Sequence, residues 1–304
     1  MRKISSASVP PGRAWLAWGA VCLLWGTTYL FIRIAVETIP PLLMAGTRWL
    51  VAGLALAAAS RLSGGRVPPR AAWPSLAARG VLLLGFGNGA VAWAEQTIPS
   101  GMAALLVAIA PFWMVGIDAV LGDGAVPAPR QVAGLVVGFA GIVVLVWPEL
   151  TTRVPHHAFL VGLVATQLAC AGWAVGSAYA RRHARRDEET FGAVGLEMLF
   201  GGLLLVVAGT ATGEWARLRV TPRTGGALAY LIVVGSVAGY SAYRYALRYL
   251  PVAVLSLYAY VNTVIAIALG VVILGETFSW RMGVAAAAAV AGVALVRQPR
   301  VLAP

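Results

Sequence analysis

Charged residues and cysteines are scarce in this chain, and each shortage excludes a class of protein. Only 11% of the 304 residues are Asp, Glu, Lys or Arg, against about a quarter in ordinary soluble domains. By contrast, 60% are hydrophobic and the mean hydropathy is +0.82, which predicts an integral membrane protein. The two cysteines, Cys22 and Cys170, are too few for a disulfide scaffold or a cysteine-rich metal site.

Motifs typical of enzymes are also missing. The chain has no G-x-x-x-x-G-K-S/T phosphate loop, no H-E-x-x-H zinc motif and no G-x-S-x-G nucleophile turn. The three histidines, His156, His157 and His183, are not accompanied by a matching ligand cluster. We therefore expect no enzyme, no metal site and no cofactor, and ATP hydrolysis by this chain is excluded as an energy source.

Long apolar runs take up most of the chain. Ten of them have the length of about 20 residues that a helix needs to cross about 30 Å of hydrocarbon. Their connections are short and often marked by Pro or Gly, so the expected fold is an all-α integral membrane protein with ten transmembrane helices. The predicted segments are 14–36, 40–60, 75–96, 100–121, 131–147, 158–180, 190–213, 224–247, 251–274 and 281–296.

Basic residues exceed acidic ones and give a formal net charge of +12. Such an excess can indicate binding to nucleic acid, but here the arginines are concentrated in alternate loops. A cytoplasmic N-terminus places most of them on the cytoplasmic side, as the positive-inside rule requires. We therefore expect both termini in the cytoplasm, with the lipid bilayer and not nucleic acid as the partner of the basic loops.

Two stretches of the sequence resemble each other at a spacing of 148 positions. CLLWGTTYLFIR begins at Cys22 and CAGWAVGSAYAR at Cys170, so that a C-x-x-W pattern and a terminal arginine, Arg33 or Arg181, recur together. The match continues with LGD and LGE further along each copy, and then with AGIVVLVWP and AGVALVRQP. The chain is therefore predicted to contain two copies of a five-helix unit.

The two copies define the expected domain organisation. A cytoplasmic tail (1–13) precedes the first repeat (14–148), and an external linker (149–157) leads to the second repeat (158–297) and a cytoplasmic tail (298–304). Because five is odd, consecutive copies must have opposite orientations in the membrane. Inverted-topology repeats are typical of alternating-access transporters, although duplication also produces channels and scaffolds.

Three stretches resemble the EamA family of the drug/metabolite transporter superfamily. They are LLWGTTYLFIRIAVETIPPLLMAGTRWLVAGL (23–54), GNGAVAWAEQTIPSGMAALLVAIAPFW (87–113) and YVNTVIAIALGVVILGE (260–276). The resemblance covers nearly the whole chain and implies a ten-helix carrier of the bacterial inner membrane, usually an exporter of amino acids or other small metabolites. It also implies that the third, fourth, eighth and ninth helices lie close to the substrate path.

Charged residues deep inside the spans are the first candidates for a substrate site, because a charge within a membrane helix costs at least a few kcal/mol. Arg48 lies eight residues past Pro40, about 12 Å along the helix, and Glu197 lies at a similar depth in the second copy. The copies therefore offer a deep cation and a deep anion at nearly equivalent positions. Alternatively, Arg48 forms a purely structural ion pair with a neighbouring helix.

Glu95 and Arg244 are a second pair of candidates, one helix later in each copy. Because the copies are inverted, we expect Glu95 near the outer face and Arg244 near the inner face, as vestibule groups at opposite ends of one path. Glu95 would attract or release a cationic group such as an ammonium, or take up a proton. The alternative is that Glu95 caps the start of the fourth helix, where unpaired N–H groups and the helix dipole favour a carboxylate.

Midway along the fourth and ninth helices, Pro111 and Asn262 lie at equivalent depths. Pro111 has no N–H to offer the carbonyl four residues earlier, so this acceptor is open, and Asn262 supplies an amide at the same level. These residues are candidates for a small polar site with walls of Trp25, Trp93 and Tyr258. Alternatively, Pro111 is a kink and Asn262 links two helices.

Small residues mark the fifth and tenth helices, in GLVVGFAG from Gly134 and AAAAAVAG from Ala285. They are candidates either for a homodimer face or for close contacts within the bundle.

Three functions stay open at this point. The first is a secondary-active exporter of amino acids or similar small solutes, which Arg48 favours because it can bind a carboxylate. The second is a carrier of lipophilic cations or drugs, and the third is a structural or receptor subunit that moves nothing. A receptor is disfavoured because no soluble output domain fits between the predicted helices.

Overall fold

The computed structural model describes residues 11–65, 68–121, 128–151, 157–183 and 190–296. Within these ranges the protein is all-helical, with fourteen α-helices and no β-strand. In chain order they are α1 (Pro11–Ala35), α2 (Pro41–Leu62), α3 (Trp73–Arg79), α4 (Gly89–Ala94), α5 (Ser100–Val107), α6 (Ala110–Leu121), α7 (Pro129–Thr151), α8 (His157–Arg182), α9 (Phe191–Ala211), α10 (Pro222–Tyr230), α11 (Ser241–Tyr249), α12 (Val252–Leu255), α13 (Tyr258–Leu274) and α14 (Trp280–Val296).

Parts of the predicted tails and linker lie outside the described ranges. These parts are residues 1–10 of the first tail, residues 152–156 of the linker, and the whole tail at 298–304.

Seven helical stretches of the described chain are long and apolar enough, by length and composition, to cross a membrane. They are Gly12–Ala35, Pro41–Leu62, Arg70–Ala94, Ser100–Val120, Phe159–Arg182, Phe191–Ala211 and Pro222–Tyr249. Two shorter apolar helices, Val132–Gly141 and Tyr258–Leu274, accompany them. An all-helical protein with several candidate spans is therefore confirmed, while the count of ten stays a prediction.

The third and eighth predicted helices each contain a π-helical segment. Gly80–Asn88 joins α3 to α4, and Leu231–Tyr240 joins α10 to α11. The two segments occupy corresponding places in the two halves of the chain. A π-helix makes a wider turn than an α-helix and is common at functional sites, and both segments contribute to the site described below.

Local sequence explains where several helices begin and end. Pro41 lies in the first turn of α2, where its missing N–H leaves no gap in the hydrogen-bond ladder. The hydroxyl of Thr190 accepts from the backbone N–H of Ala193 at 3.2 Å and caps α9. Thr221 caps α10 in the same way. Gly275, with a φ of +66°, ends α13 in a left-handed turn that favours glycine.

The predicted fourth and ninth spans are each interrupted. α5 ends at Val107 and α6 begins at Ala110, because Pro111 cannot donate a hydrogen bond to the Val107 carbonyl. The second interruption lies between Leu255 and Tyr258. It contains no proline, and the sequence pattern did not predict it.

Contacts between the two halves recur with the halves exchanged. α1 packs against α13, and correspondingly α8 packs against α6. The π-helical segment Leu231–Tyr240 contacts α1, just as Gly80–Asn88 contacts α8. α2 packs against α9, and α7 against α14, so each of these pairs joins corresponding helices of the two halves. The first helix of each half therefore packs into the other half.

The small residues of α7 and α14 face each other within one chain. A Cβ atom on Gly141 would lie 2.6 Å from the Cβ of Ala288, and one on Gly292 would meet the carbonyl oxygen of Gly134. Of the two alternatives that the sequence left open for these faces, close contacts within the bundle are therefore present, while a homodimer stays a prediction.

Candidate functional site

A cavity of about 70 Å³ lies between the two halves. It brings together four of the predicted site residues, Trp25, Arg48, Tyr258 and Asn262. Its volume suffices for a few water molecules. Within the described chain, no group of three or more His, Cys, Asp or Glu residues is placed to hold a metal ion. The polar side chains that line the cavity include one guanidinium group, two amides, one thiol and a threonine hydroxyl, those of Arg48, Asn88, Asn262, Cys170 and Thr28.

Arg48 supplies the positive charge of the cavity. Its side chain is only 1% exposed, and it donates from Nε to Ser236 Oγ at 2.6 Å and from Nη1 to Asn88 Oδ1 at 3.4 Å. No carboxylate of the described residues lies within ion-pair distance of it. The structural ion pair considered for Arg48 is therefore not found among the described residues. Its hydrogen bonds to Ser236 and Asn88 use only part of the five N–H donors of a guanidinium group.

Gly235 allows Arg48 to approach the π-helical segment Leu231–Tyr240. A Cβ atom at this position would lie 2.8 Å from Arg48 Nη2, which is too close for a real side chain. The Gly235 carbonyl also accepts from Trp25 Nε1 at 2.9 Å. The pair of Gly235 and Ser236 therefore makes room for the guanidinium group, binds it and fixes the neighbouring tryptophan.

Aromatic rings from both halves form one wall of the cavity. The ring centroid of Trp25 lies 5.3 Å from that of Trp173, 5.1 Å from that of Tyr243 and 5.4 Å from that of Tyr258. Trp173 Nε1 donates to the Tyr243 hydroxyl at 2.9 Å. The tryptophans of the repeated C-x-x-W pattern therefore meet where the two halves join, in edge-to-face geometry that stabilises aromatic pairs.

Polar groups lie near the two helix interruptions, at the end of α5 and the start of α13. With its amide nitrogen assigned toward two carbonyls, Asn262 donates to Cys22 O at 2.7 Å and to Tyr258 O at 3.1 Å. Asn262 therefore links α13 to α1 while it also lines the cavity. Pro111 leaves the Val107 carbonyl oxygen without a helical N–H donor. The thiol of Cys170 donates to this oxygen, with an Sγ–O distance of 3.8 Å.

Glu95 is completely buried at the end of α4. Neither of its carboxylate oxygens has a hydrogen-bond partner among the described residues. Arg33 approaches it, but its Nη1 donates to the backbone carbonyls of Glu95 and Gln96. The carboxylate is therefore shielded from solvent in this conformation, and its place in an outer vestibule stays a prediction.

The start of α5 is capped by Glu276 and not by Glu95. Ser100 donates to the Glu276 carboxylate from its backbone N at 2.9 Å and from Oγ at 2.7 Å, and Gly101 N donates at 3.1 Å. Gly275 turns the chain so that Glu276 can reach back to this helix. The alternative that Glu95 caps the fourth helix is thus wrong, because a carboxylate from the other half already occupies its N-terminus.

Glu197 and Arg244 belong to a different buried cluster. Arg79 Nη1 lies 3.4 Å from Glu197 Oε1, and Arg244 Nε lies 3.1 Å from Glu197 Oε2. The Tyr240 hydroxyl donates to Glu197 Oε2 at 2.8 Å. Two predicted substrate residues, Glu197 and Arg244, are therefore paired with each other. None of the four residues of this cluster lines the cavity in this conformation.

Two further predicted residues do not line the cavity. Trp93 is 37% exposed at the protein surface, and Pro111 lies just after the helix interruption without lining the cavity. Sequence reasoning missed Asn88 and Ser236, which bind Arg48. Asn88 could have been predicted as a site residue from the sequence, because it is an isolated amide in the apolar run 80–94.

Together, the apolar helical bundle and the cavity with its buried cation fit a helical membrane transporter. Comparison with known proteins supports this class. The model of the EamA-like transporter family matches residues 13–147 and again residues 160–298. The chain therefore belongs to the EamA-like transporter family, and it is a transporter and not an enzyme.

Individual relatives agree with the family. The inner membrane transporter YedA of Escherichia coli (strain K12) is 38% identical over 263 residues, which cover 86% of this chain and 82% of YedA. A protein of the same strain named "Probable amino-acid metabolite efflux pump" is 24% identical over 238 residues, covering 72% of this chain and 73% of its own length. A solved crystal structure matches with a TM-score of 0.73 at 23% identity, covering 93% of this chain and 97% of its own, which shows a common fold.

Proposed function

We propose that this protein is a secondary-active exporter of amino acids or similar small metabolites. It works in the bacterial inner membrane, with ten spans and both termini in the cytoplasm. The names of two relatives support the membrane location and the class of solute, since one is named an inner membrane transporter and the other a "Probable amino-acid metabolite efflux pump".

The observation that carries the proposal is the state of Arg48. Its buried guanidinium group lines the cavity and is bonded by the neutral oxygens of Ser236 and Asn88. Burying a cation without a carboxylate partner is costly, whereas a solute carboxylate in the cavity would complete the site with charge-assisted hydrogen bonds. A site of this kind selects solutes that carry a carboxylate.

The other walls provide the remaining recognition. Trp25 and Tyr258 offer aromatic faces to an apolar or aromatic side chain. Because the cavity measures about 70 Å³ in this conformation, a whole amino acid enters only when side chains or helices move. Solute binding is therefore tied to a conformational change, as alternating access requires.

The arrangement of the halves supports alternating access between inverted repeats at 14–148 and 158–297. The family model matches once in each half, and contacts between halves recur with the halves exchanged. The cavity lies between the halves, and Val107 and Tyr258, at the two helix interruptions, line it. Rocking of one half against the other would open this cavity to either side.

Uptake into inside-out membrane vesicles tests the proposal, because uptake there corresponds to export from the cell. We would offer a panel of radiolabelled amino acids and one cationic dye to the wild type, Arg48→Ala and Arg61→Ala. Arg61 is the matched control, since it lies on the same helix but is exposed. We expect Arg48→Ala to raise the half-saturating amino-acid concentration roughly 10- to 150-fold, from the loss of about 1.5–3 kcal/mol of charged hydrogen bonding.

Two results would contradict the proposal. Transport of the dye that survives Arg48→Ala, without transport of any amino acid, would identify a carrier of lipophilic cations. No flux of any solute above that of vesicles without the protein would favour a structural or receptor role.

A further inference from the structure

A groove of about 700 Å³ lies between α6, α7 and α8, apart from the central cavity of about 70 Å³. Among the described residues its walls are apolar, except for the carboxamide of Gln167 and the indole N–H of Trp113. Val120 and Phe139 in its walls are 81% and 47% exposed, and they belong to apolar helices, so the groove faces the bilayer. We call it the lateral groove; its lining includes Ile109, Phe112, Gly116, Val120, Phe139 and Leu163.

Only one layer of helix separates the lateral groove from the cavity. At the interruption between α5 and α6, Ala110 lines the cavity while the adjacent Ile109 lines the groove. On α8, Cys170 lines the cavity, and Gln167, about one turn earlier, lines the groove. The two spaces therefore adjoin along the seam where α6 packs against α8.

The hydrogen bonds across this seam are long. Gln167 Nε2 donates to Leu106 O at 3.4 Å, and Trp113 Nε1 donates to Gln167 Oε1 at 3.3 Å. The Cys170 thiol donates to Val107 O at 3.8 Å. Ordinary N–H···O bonds measure about 2.7–3.2 Å, so the contacts made by Gln167 are weak. The seam can therefore open without the loss of a strong hydrogen bond.

The solute that we propose for the cavity lacks room there for a long side chain. Arg48 binds the solute carboxylate, but a cavity of about 70 Å³ holds only a few water molecules. An apolar side chain gains free energy in proportion to the apolar surface that it removes from water. The lateral groove offers an apolar surface of this kind on the other side of the seam.

We propose that the lateral groove binds the apolar tail of the solute while Arg48 holds its carboxylate. This inference rests on the proposed function and deepens it, because it names the solute class as amino acids with long apolar side chains. The tail crosses the seam at the interruption between α5 and α6, where the bonds of Gln167 and Trp113 open to admit it. A lipid acyl chain alone would gain nothing from the carboxamide of Gln167, whose burial beside hydrocarbon is costly.

Gly116 allows the lateral groove to be filled by a substitution. It lines the groove, and a Cβ atom at this position would meet no other atom within 4 Å, so a leucine can enter the groove. Gly19 on α1 is the matched control, because a Cβ atom there would also meet nothing within 4 Å. Gly19 lines neither the groove nor the cavity. Gly116→Leu and Gly19→Leu therefore make the same chemical change in different places.

Binding of straight-chain amino acids of increasing length tests the inference. Purified protein in nanodiscs is dialysed to equilibrium against radiolabelled 2-aminobutyrate, norleucine or 2-aminodecanoate, and nanodiscs without protein give the background from the lipid. In the wild type and in Gly19→Leu, the Kd should fall by up to about fourfold for each added CH₂ group, so that 2-aminodecanoate binds up to about 250-fold more tightly than norleucine. In Gly116→Leu this ratio should fall below about tenfold, while the Kd of 2-aminobutyrate stays unchanged.

The possible failures are distinguishable. If the wild type binds 2-aminobutyrate but gains nothing from a longer chain, or if the gain persists in Gly116→Leu, the role of the groove is refuted and the exporter proposal stands. If the wild type binds none of the three amino acids, the inference is refuted, and if the vesicles also transport no amino acid, the proposed function fails with it. If Gly116→Leu does not bind 2-aminobutyrate, Val120→Trp, one turn further along the groove wall, takes its place and should lower the same ratio.

Discussion

Replacing Glu197 by Gln separates a structural role from a transport role for the buried ion-pair cluster. Glu197 lies between Arg79 and Arg244, with nitrogen–oxygen distances of 3.4 and 3.1 Å, and accepts from Tyr240 at 2.8 Å. Glutamine keeps the size of the side chain and one carbonyl oxygen but removes the negative charge. Both guanidinium groups therefore lose this carboxylate while the packing changes little.

Burial determines the size of the expected effect. The side chains of Glu197 and Arg79 are 0% exposed, and removing one member of a buried ion pair typically costs about 3–5 kcal/mol. The matched control is Glu37→Gln, because Glu37 pairs with Arg223 at 3.1 Å while the two side chains are 42% and 60% exposed. An exposed pair contributes at most about 1 kcal/mol, so the free energies of unfolding of the two variants should differ by at least about 2 kcal/mol.

Denaturant unfolding of the purified proteins in detergent, followed by tryptophan fluorescence, measures this difference. At a temperature where Glu197→Gln is folded, we expect it to exchange labelled for unlabelled amino acid across proteoliposomes, since the cluster does not line the cavity.

Two results would refute this reasoning. Equal destabilisation by Glu197→Gln and Glu37→Gln would show that the buried cluster contributes no more than a surface ion pair. Loss of exchange in a folded Glu197→Gln protein would return Glu197 to the solute path.

Two further predictions follow from the contacts between the halves and from the cavity wall. Glu276→Ala removes the cap of α5 and should lower the free energy of unfolding by about 2 kcal/mol, while Glu37→Ala should cost less than about 1 kcal/mol; equal values would contradict the capping role. In single-cysteine variants, a saturating amino acid should slow alkylation of Cys170, which lines the cavity, but not of Cys22, which does not. Protection of both thiols, or of neither, would place the solute elsewhere.

Much of the fold could be predicted because a bilayer restricts which backbone structures and which side chains can span it. A spanning segment must satisfy its own backbone hydrogen bonds and present apolar side chains, and these requirements are visible as long uncharged runs. The repeated C-x-x-W pattern likewise predicted a duplication, and its tryptophans, Trp25 and Trp173, meet between the halves. Arg48 was identifiable for the same reason, as a charge inside an apolar run.

The partners of the buried charges could not be predicted. Glu95 was a reasonable cap for the helix that follows it, yet Glu276, which is 176 positions from Ser100, caps that helix. Arg79 lies near a loop in the sequence but is fully buried against Glu197, 118 positions away. Local spacing contains no information about such pairs, so Glu197 and Glu95 were given similar roles although only Glu197 is bonded.

By itself, the sequence determined that this protein is a helical membrane protein with two related halves and a cation deep in one of them. Hydrophobic segments and repeated motifs can be identified in the sequence directly, because each spanning segment must by itself be long and apolar enough to cross the bilayer. Only the tertiary structure decided that Arg48 has neutral partners, that Glu197 is neutralised and that Glu95 is unbonded. The electrostatic energy of a buried charge depends on groups within a few ångströms, and in a bundle of helices those groups come from distant parts of the chain.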